Sequence, residues 1–241
     1  MRAPDAAFAD ARLAALYDPL DTDRSDLEQY VAIVEELGAR IVVDLGCGTG
    51  VLALLLAERD VDVTGVDPAI ASVDVARSKP GAHRVRWVEG DATALLPLGL
   101  SSDLALMTGN VAQVFVDDED WQVTLDAVRE SLRPGGWLVF ETRRPEARAW
   151  EGWDVGPSLV RLPDGRTATV TRTVSEVALP LVTFAEEAQL DGEVLESVST
   201  LRFRTLDEMA ADLSTAGFEL ADVRDASDRP GLEHVVLARR T

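Results

Sequence analysis

The chain has 241 residues, 46% of them apolar, which suffices for one large α/β domain with an inserted subdomain and argues against disorder. Its formal net charge of -20 speaks against a nucleic-acid substrate, because phosphate binding calls for a basic surface. No stretch nears the ~18 unbroken apolar residues of a membrane helix, and Cys47 is the only cysteine, so neither an intrachain disulfide nor a cysteine-based metal cluster can form.

The start, Met1-Arg2-Ala3-Pro4-Asp5, does not lead into an apolar secretion signal, and a cytoplasmic location is the simplest expectation. Ala6 to Leu16 is Ala/Leu-rich and predicts a helix ending near Tyr17-Asp18-Pro19, since proline disfavours helix in the residue before it. Ser25-Asp26-Leu27-Glu28 has the spacing of a capping box. Leu27, Val31, Val34 and Leu37 then follow helical period, and Gly38 can end the helix. Ile41-Val42-Val43 reads as a strand buried on both faces. After it come a glycine turn, a helix over Val51 to Glu58, and a strand over Val61 to Val66 that ends at Asp67.

The alternation continues. Ala69 to Lys79 is helical, and Val85 to Val88 is a third strand ending at Glu89-Gly90-Asp91. Leu104 to Met107 is a fourth, ending at Thr108-Gly109-Asn110. A helix over Asp118 to Leu132 closes at Arg133-Pro134-Gly135-Gly136 before a fifth strand, Trp137 to Glu141. Strands alternating with helices predict a doubly wound, mostly parallel sheet. From about Trp150 to Arg204 the rhythm breaks. The turn signals Asp164-Gly165 and Asp191-Gly192 separate strand-like runs at Leu159 to Leu162, Thr167 to Val177, Leu181 to Leu190 and Val194 to Arg204. These predict an antiparallel β insertion. Thr205-Leu206-Asp207-Glu208 is another capping box, opening a helix to Ala216. Phe218 to Val223 and His234 to Ala238 are the last strands, for seven in the main sheet. The expected divisions are 1–149, with N-terminal helices and an α/β core, 150–204 for the insertion, and 205–241 returning to the core.

In open α/β sheets, ligands bind at the carboxyl ends of the strands beside the switch point of strand order. The first strand ends in Gly46, Gly48 and Gly50. Glycines allow a positive φ and a close backbone approach to a ligand, and a generic tight turn has the same look. The dinucleotide fingerprint puts its third glycine one place later, where Val51 stands. The Gly-Lys-Ser/Thr ending of a phosphate loop is also absent. Asp67, about 20 residues past the turn, suits both hydroxyls of a ribose and also a helix N-cap.

The stretches Val43-Asp44-Leu45-Gly46-Cys47-Gly48-Thr49-Gly50, Gly65-Val66-Asp67-Pro68, Glu89-Gly90-Asp91-Ala92 and Leu132-Arg133-Pro134-Gly135-Gly136-Trp137-Leu138, in this order, resemble the class I S-adenosylmethionine-dependent methyltransferases. The resemblance implies a Rossmann-like seven-stranded fold, with S-adenosylmethionine as cofactor and S-adenosylhomocysteine as product. It places Asp44, Gly46, Cys47, Gly48 and Gly50 near the methionine portion, Asp67 and Pro68 at the ribose, and Asp91 and Ala92 at the adenine. Thr108, Gly109 and Asn110 fall beside the transferable methyl. The β insertion is similar to those of small-molecule N- and O-methyltransferases, amino-sugar N-methyltransferases among them, where it roofs the acceptor or joins subunits. The resemblance therefore implies a small-molecule acceptor and leaves room for a homodimer. Tyr17 and Arg24, in the N-terminal helices, are candidates for the methionine end, Arg24 by pairing with the carboxylate. Tyr17 reads equally as packing, and Arg24 as a solvated charge.

Methyl transfer asks mainly for alignment of nucleophile and methyl, so a general base is optional. Neither His83 nor His234 is assigned that task, and no catalytic residue is named. Asn110, Gln113, Glu141 and Arg143 follow the fourth and fifth strand ends and are candidates to face the acceptor. Trp150 and Trp153 read as pocket walls or as packing. The acidic composition suits a cationic acceptor or only solubility. Asp117-Asp118-Glu119-Asp120 reads as a helix cap rather than a metal site. Two other classes stay open, a nicotinamide-dependent oxidoreductase and a non-catalytic S-adenosylmethionine-binding regulator. A nucleic-acid methyltransferase is disfavoured, because Thr108-Gly109-Asn110 stands where an Asn-Pro-Pro-Tyr motif would be expected.

Overall fold

A computed structural model describes residues 3–241; Met1 and Arg2, read above as part of the leader-free start, lie outside the described residues. The main sheet holds seven strands: β1 (Ile41–Leu45), β2 (Asp62–Asp67), β3 (Val85–Glu89), β4 (Ser102–Met107), β5 (Leu132–Arg143), β10 (Phe218–Asp225) and β11 (Glu233–Arg240). Their spatial order is β3-β2-β1-β4-β5-β11-β10, with β11 antiparallel to both neighbours. The order reverses between β1 and β4, so the crevice at their carboxyl ends is the natural ligand position.

Successive side chains on a strand point to opposite faces, and both faces here are apolar. Val43, Ala105, Met107, Leu138 and Phe140 meet Trp121, Leu125 and Val128 of α6 (Asp118–Ser131) and Met209 and Leu213 of α7 (Leu206–Thr215). On the other face Val42, Leu104, Leu106 and Val139 pack on Leu27, Tyr30 and Ile33 of α3 (Asp26–Glu36) and on Leu52 and Leu56 of α4 (Val51–Ala57). That is why the first strand shows an unbroken β-branched run.

A second, four-stranded antiparallel sheet is built from β6 (Val155–Arg161), β7 (Thr167–Ala178), β8 (Leu181–Leu190) and β9 (Glu193–Arg202). At its tight β8–β9 turn both Asp191 (φ +54°) and Gly192 (φ +83°) are left-handed, as the Asp-Gly signal requires. The Thr205 capping box forms in both directions with Glu208 and starts α7.

Several local expectations are corrected. The first predicted helix is two: α1 (Ala6–Ala9) and α2 (Ala11–Leu20), broken at Asp10, whose side chain accepts from the Arg12 N–H. α2 runs through Pro19 instead of stopping before it. Leu16 is buried against Val160, Ala168 and Leu195 of the second sheet, and packing of that kind overrides a local preference. α2 thus packs on the insertion, not only on the core to which its residues were assigned. Ser25 makes no side-chain cap bond, because it already has helical φ and ψ. Pro134-Gly135-Gly136 does not precede β5 but bulges within it, the register slipping between Ser102 and Leu104 on β4. Asp118 is not only a solvated cap: it pairs with Arg202 of β9 at 2.8 Å and so ties α6 to the second sheet.

Candidate active site

Two cavities open above the switch point. The first is lined by Gly46, Gly48 and Thr49 after β1, Asp67 and Pro68 after β2, Asp91 and Ala92 after β3, and Thr108 and Gly109 after β4. The second, larger cavity (about 670 Å³ against about 180 Å³) lies between the N-terminal helices, the ends of β4 and β5, and the second sheet. Phe8, Tyr17, Gly109 and Val114 line both, so the cavities meet there.

Within the glycine turn the three glycines do different work. A Cβ on Gly46 (φ +74°) would stand 2.4 Å from Val111, and one on Gly50 (φ +78°) 2.4 Å from the Trp87 ring. A Cβ on Gly48 (φ +51°) would meet nothing within 4 Å. Two glycines therefore answer to packing of the protein on itself, and Gly48 alone faces open space. Asp44 and Cys47 are buried beneath the turn and, with Gly50, do not reach the cavity wall. Of the turn expected near the methionine portion, Gly46, Gly48 and Thr49 line the cavity. Burial, reinforced by the Asp67 charge, pushes the Asp44 carboxyl up to about 7. Burial also raises the Cys47 thiol well above its usual range.

Asp67 fixes the turn. Its Oδ2 accepts from the Gly48 N–H (2.9 Å) and its Oδ1 from the Ala69 N–H (2.8 Å). Asp67 is not the helix N-cap, which is Ala69 with no side-chain cap bond; its bond to the Ala69 N–H closes the turn that leads into the following helix. Burial raises its carboxyl despite these two bonds. Asp91 accepts from the Thr93 N–H at 2.8 Å, which holds the start of the following 3-10 turn.

The N-terminal helices form the cover. Phe8 and Tyr17 rest ring to ring at 5.9 Å. The Ala7 N–H donates to Ser197 Oγ on β9, and Ser72 Oγ of α5 (Ile70–Ser78) donates to the Phe8 carbonyl. At the far end of α2, Asp18 accepts from Thr49 Oγ1 (2.6 Å) and pairs with Lys79 at 2.5 Å, while Lys79 also donates to the Thr49 carbonyl. The only lysine of the sequence thus anchors the cover to the glycine turn. Its position, remote in sequence from α2, gave no such signal.

Arg24 and Asn110, expected at the cofactor, line the second cavity and not the first. Arg24 pairs with Asp26 (3.4 Å) and Asp21 (3.8 Å) instead. Gln113 is buried and lines neither cavity. It accepts from Arg143 Nη1 (2.9 Å) and donates to the Arg202 carbonyl, so it orients Arg143 rather than facing an acceptor. Glu141, Arg143 and Trp153 do line the second cavity. Arg143 lies 5.1 Å from the Trp153 ring centroid, and burial lowers the pKa of its guanidinium. Trp150 is packed edge-on against Phe203 at 4.7 Å and takes no part.

Tyr30, Arg172, Phe184, Glu186 and Glu233 escaped the sequence reading. Tyr30 looked like a core position of α3, but its hydroxyl donates to Glu141 Oε2. Burial and then the Glu141 charge raise the pKa of the Tyr30 phenol. Phe184, Glu186 and Ala188 on β8, and Ser197, Ser199 and Leu201 on β9, line the chamber by strand alternation. Only the direction in which the sheet faces, a tertiary fact, shows which alternate set does so.

A family description, methyltransferase domain, matches residues 42–136, from β1 into β5. With the strand order above, the match makes this part of the chain similar to the class I S-adenosylmethionine-dependent methyltransferases. The chain is 31% identical over 147 residues to a cypemycin N-terminal methyltransferase of a Streptomyces species, covering 61% of this chain and 60% of the relative. It is 30% identical over 162 residues to a ubiquinone biosynthesis O-methyltransferase of Paracidovorax citrulli, covering 64% and 65% respectively. The chain thus spans less than two thirds of the length of these curated relatives. An amino pentose methyltransferase from Micromonospora echinaspora, solved with bound S-adenosylmethionine, superposes with a TM-score of 0.70 at 25% identity. That match covers 94% of this chain and 95% of the solved chain. Among the described residues no helix is long and apolar enough to cross a membrane.

Proposed function

We propose that this chain moves a methyl group from S-adenosylmethionine to a nitrogen or oxygen of a small-molecule acceptor, releasing S-adenosylhomocysteine. The observation that carries this reading is the meeting of the two cavities at Gly109, one bordered by the ends of β1 to β4 and the other roofed by the insertion. The residues of the first cavity fit the cofactor. The open space above Gly48 leaves room for a ligand against backbone, and Asp67 is a fixed carboxylate whose free lone pairs can take the hydroxyls of a ribose. Asp91 and Ala92 would border the adenine, and Thr108 and Gly109 the methionine end, with Tyr17 and Phe8 above.

When bound, the cofactor's sulfonium supplies an electrophilic methyl that needs no further activation. The protein's part is then geometric. Thr108 and Gly109 bound one side of the junction and Tyr17 the other, so an acceptor in the second chamber can reach the methyl only through the opening between them. Holding reacting atoms about 3–3.5 Å apart and in line recovers most of the entropy lost in bringing two molecules together. Among the chamber's relatives in fold and sequence, both N- and O-methyltransferases occur by name, which supports either acceptor atom. The segment 150–204 would act as the acceptor lid.

Isothermal titration with S-adenosylmethionine and S-adenosylhomocysteine tests the reading at its root. Binding of both is expected. Binding of neither would sink it, and tight NADH binding in their place would turn the protein into an oxidoreductase.

A further inference from the structure

Glu141 is a buried chamber carboxylate that feels the Arg143 and Arg229 charges without a direct ion pair to either. It is 7% exposed, at the end of β5. Its Oε2 accepts from the Tyr30 hydroxyl and its Oε1 from the Asn110 N–H at 3.1 Å. Both partners are neutral. Among the described residues no arginine or lysine makes an ion pair with it. The nearby guanidiniums are committed elsewhere: Arg229 and Arg143 both address Oε1 of Glu233, at 3.0 and 3.6 Å, and Arg172 pairs with Glu186 at 2.6 Å. A buried carboxylate without a cation is costly in an isolated protein.

Asn110 supplies a second, independent anomaly in the same corner. It is 3% exposed and left-handed (φ +61°), a conformation that non-glycine residues rarely adopt. Its Nδ2 donates to Glu233 Oε1 at 3.2 Å, yet its Oδ1 is buried without a hydrogen-bond partner. Buried polar atoms without partners are uncommon in native proteins. Asn110 adjoins Gly109, one of the residues that line both cavities. Overall, seven carboxylates line the chamber against four arginines, so a cation entering it is attracted as well as paired.

Resting on the methyltransferase reading above, we infer that Glu141 and Asn110 form the acceptor's ammonium subsite, so that the substrate is a primary or secondary amine rather than an alcohol. An amine arrives as its ammonium form with two or three N–H donors. Glu141 Oε1 or Oε2 takes one, Asn110 Oδ1 takes another, and the nitrogen is left at the junction of the cavities. Transfer of one proton from the ammonium to the Glu141 carboxylate frees the nitrogen lone pair. That pair forms the new N–C bond to the sulfonium methyl, the C–S bond breaks, and its electrons stay on sulfur as a neutral thioether. The product is an N-methylammonium ion, and Glu141 then returns its proton to solvent. Trp153 and Phe184, edge-on at 5.3 Å, offer an aromatic wall for the body of the acceptor.

The test compares benzylamine with benzyl alcohol by ligand-observed proton NMR titration at neutral pH, on protein saturated with S-adenosylhomocysteine. Saturation itself checks the methyltransferase reading, so the two ideas fail separately. The wild type is expected to bind the amine about tenfold or more tighter than the alcohol, as a charge-assisted bond to a buried carboxylate supplies. Glu141→Gln, which keeps shape and an acceptor for Tyr30, is expected to lose that preference while binding S-adenosylhomocysteine as before. Tyr30→Phe, which leaves the charge in place, is expected to keep it. Equal binding of amine and alcohol, failure of both to bind, or a preference that survives in Glu141→Gln overturns the inference.

Discussion

Asp67 shows how one side chain can serve structure and ligand together. Both of its oxygens accept backbone N–H bonds, one from Ala69 and one across the turn from Gly48. Removing it leaves the Gly48 N–H without a partner and removes the proposed ribose acceptor. Hydrogen bonds to a charged group are worth about 1.5–3 kcal/mol, so Asp67→Ala is expected to weaken S-adenosylhomocysteine about 10- to 100-fold in isothermal titration. An affinity within about twofold of wild type would show that Asp67 only holds the turns at Gly48 and Ala69. This residue was legible in the sequence because its place is set locally, by the end of a strand and the start of a helix. Glu141 was a candidate too, but only its position at a strand end was legible. That Tyr30 grips it and no arginine does follows from α3 packing across β5, a contact between residues 111 positions apart.

At the scale of elements, α1 and α2 decide access to both cavities. They are joined to the core through Asp18, Thr49 and Lys79, and to the second sheet through Leu16 and the Ala7 bond to Ser197. The Asp18 pair is partly exposed, so it contributes only about 1 kcal/mol. Asp18→Ala is therefore expected to speed hydrogen exchange of the α2 amides about fivefold while leaving those of β1 unchanged. Unchanged exchange in α2 would place its anchorage wholly in the apolar contacts of Leu16. The break at Asp10 and the run through Pro19 were both misread from sequence. Their physical reasons differ: the break at Asp10 is a local cap on the Arg12 N–H, whereas the run through Pro19 belongs to a helix held by tertiary packing of Leu16. The capping box at Thr205 and the Asp191-Gly192 turn, by contrast, were read correctly, since each is closed by residues within three or four positions.

For the whole molecule, acidity is the dominant fact, and its effect on stability has a direction. Burial raises the carboxyls of Asp44, Asp67 and Glu141. A raised carboxyl binds its proton more tightly in the folded state, so its stabilising contribution is complete below the ordinary carboxylate range and is lost as pH rises through the folded value. For Asp44 that loss runs from about pH 4 to about 7 and amounts to on the order of 4 kcal/mol at most. Carboxyls lowered by arginine partners, such as Asp222 and Glu36 beside Arg224, act in the opposite sense, and their contribution is lost only as pH falls below the ordinary range. The melting temperature is therefore expected to peak under mildly acidic conditions and to fall toward neutral pH. Asp44→Asn should flatten that fall, as followed by circular dichroism. An undiminished fall in Asp44→Asn would assign the effect to the general repulsion of a chain with net charge -20.

The sequence by itself determined the parallel sheet, the antiparallel insertion and the strand ends that border the first cavity. These depend on strand period, on turns a few residues long, and on residues standing at strand ends, all written in short stretches of chain. Even there, only the folded chain showed that Gly46 and Gly50 answer to Val111 and Trp87 while Gly48 faces open space. Tertiary structure alone decided the acceptor side. Tyr30, Asn110, Glu141, Phe184 and Glu233 come from five separate segments and meet only because α3, the ends of β4 and β5, the roof sheet and β11 converge on one chamber. A buried carboxylate without an ion pair of its own among the described residues is a property of that convergence, and no local pattern encodes it.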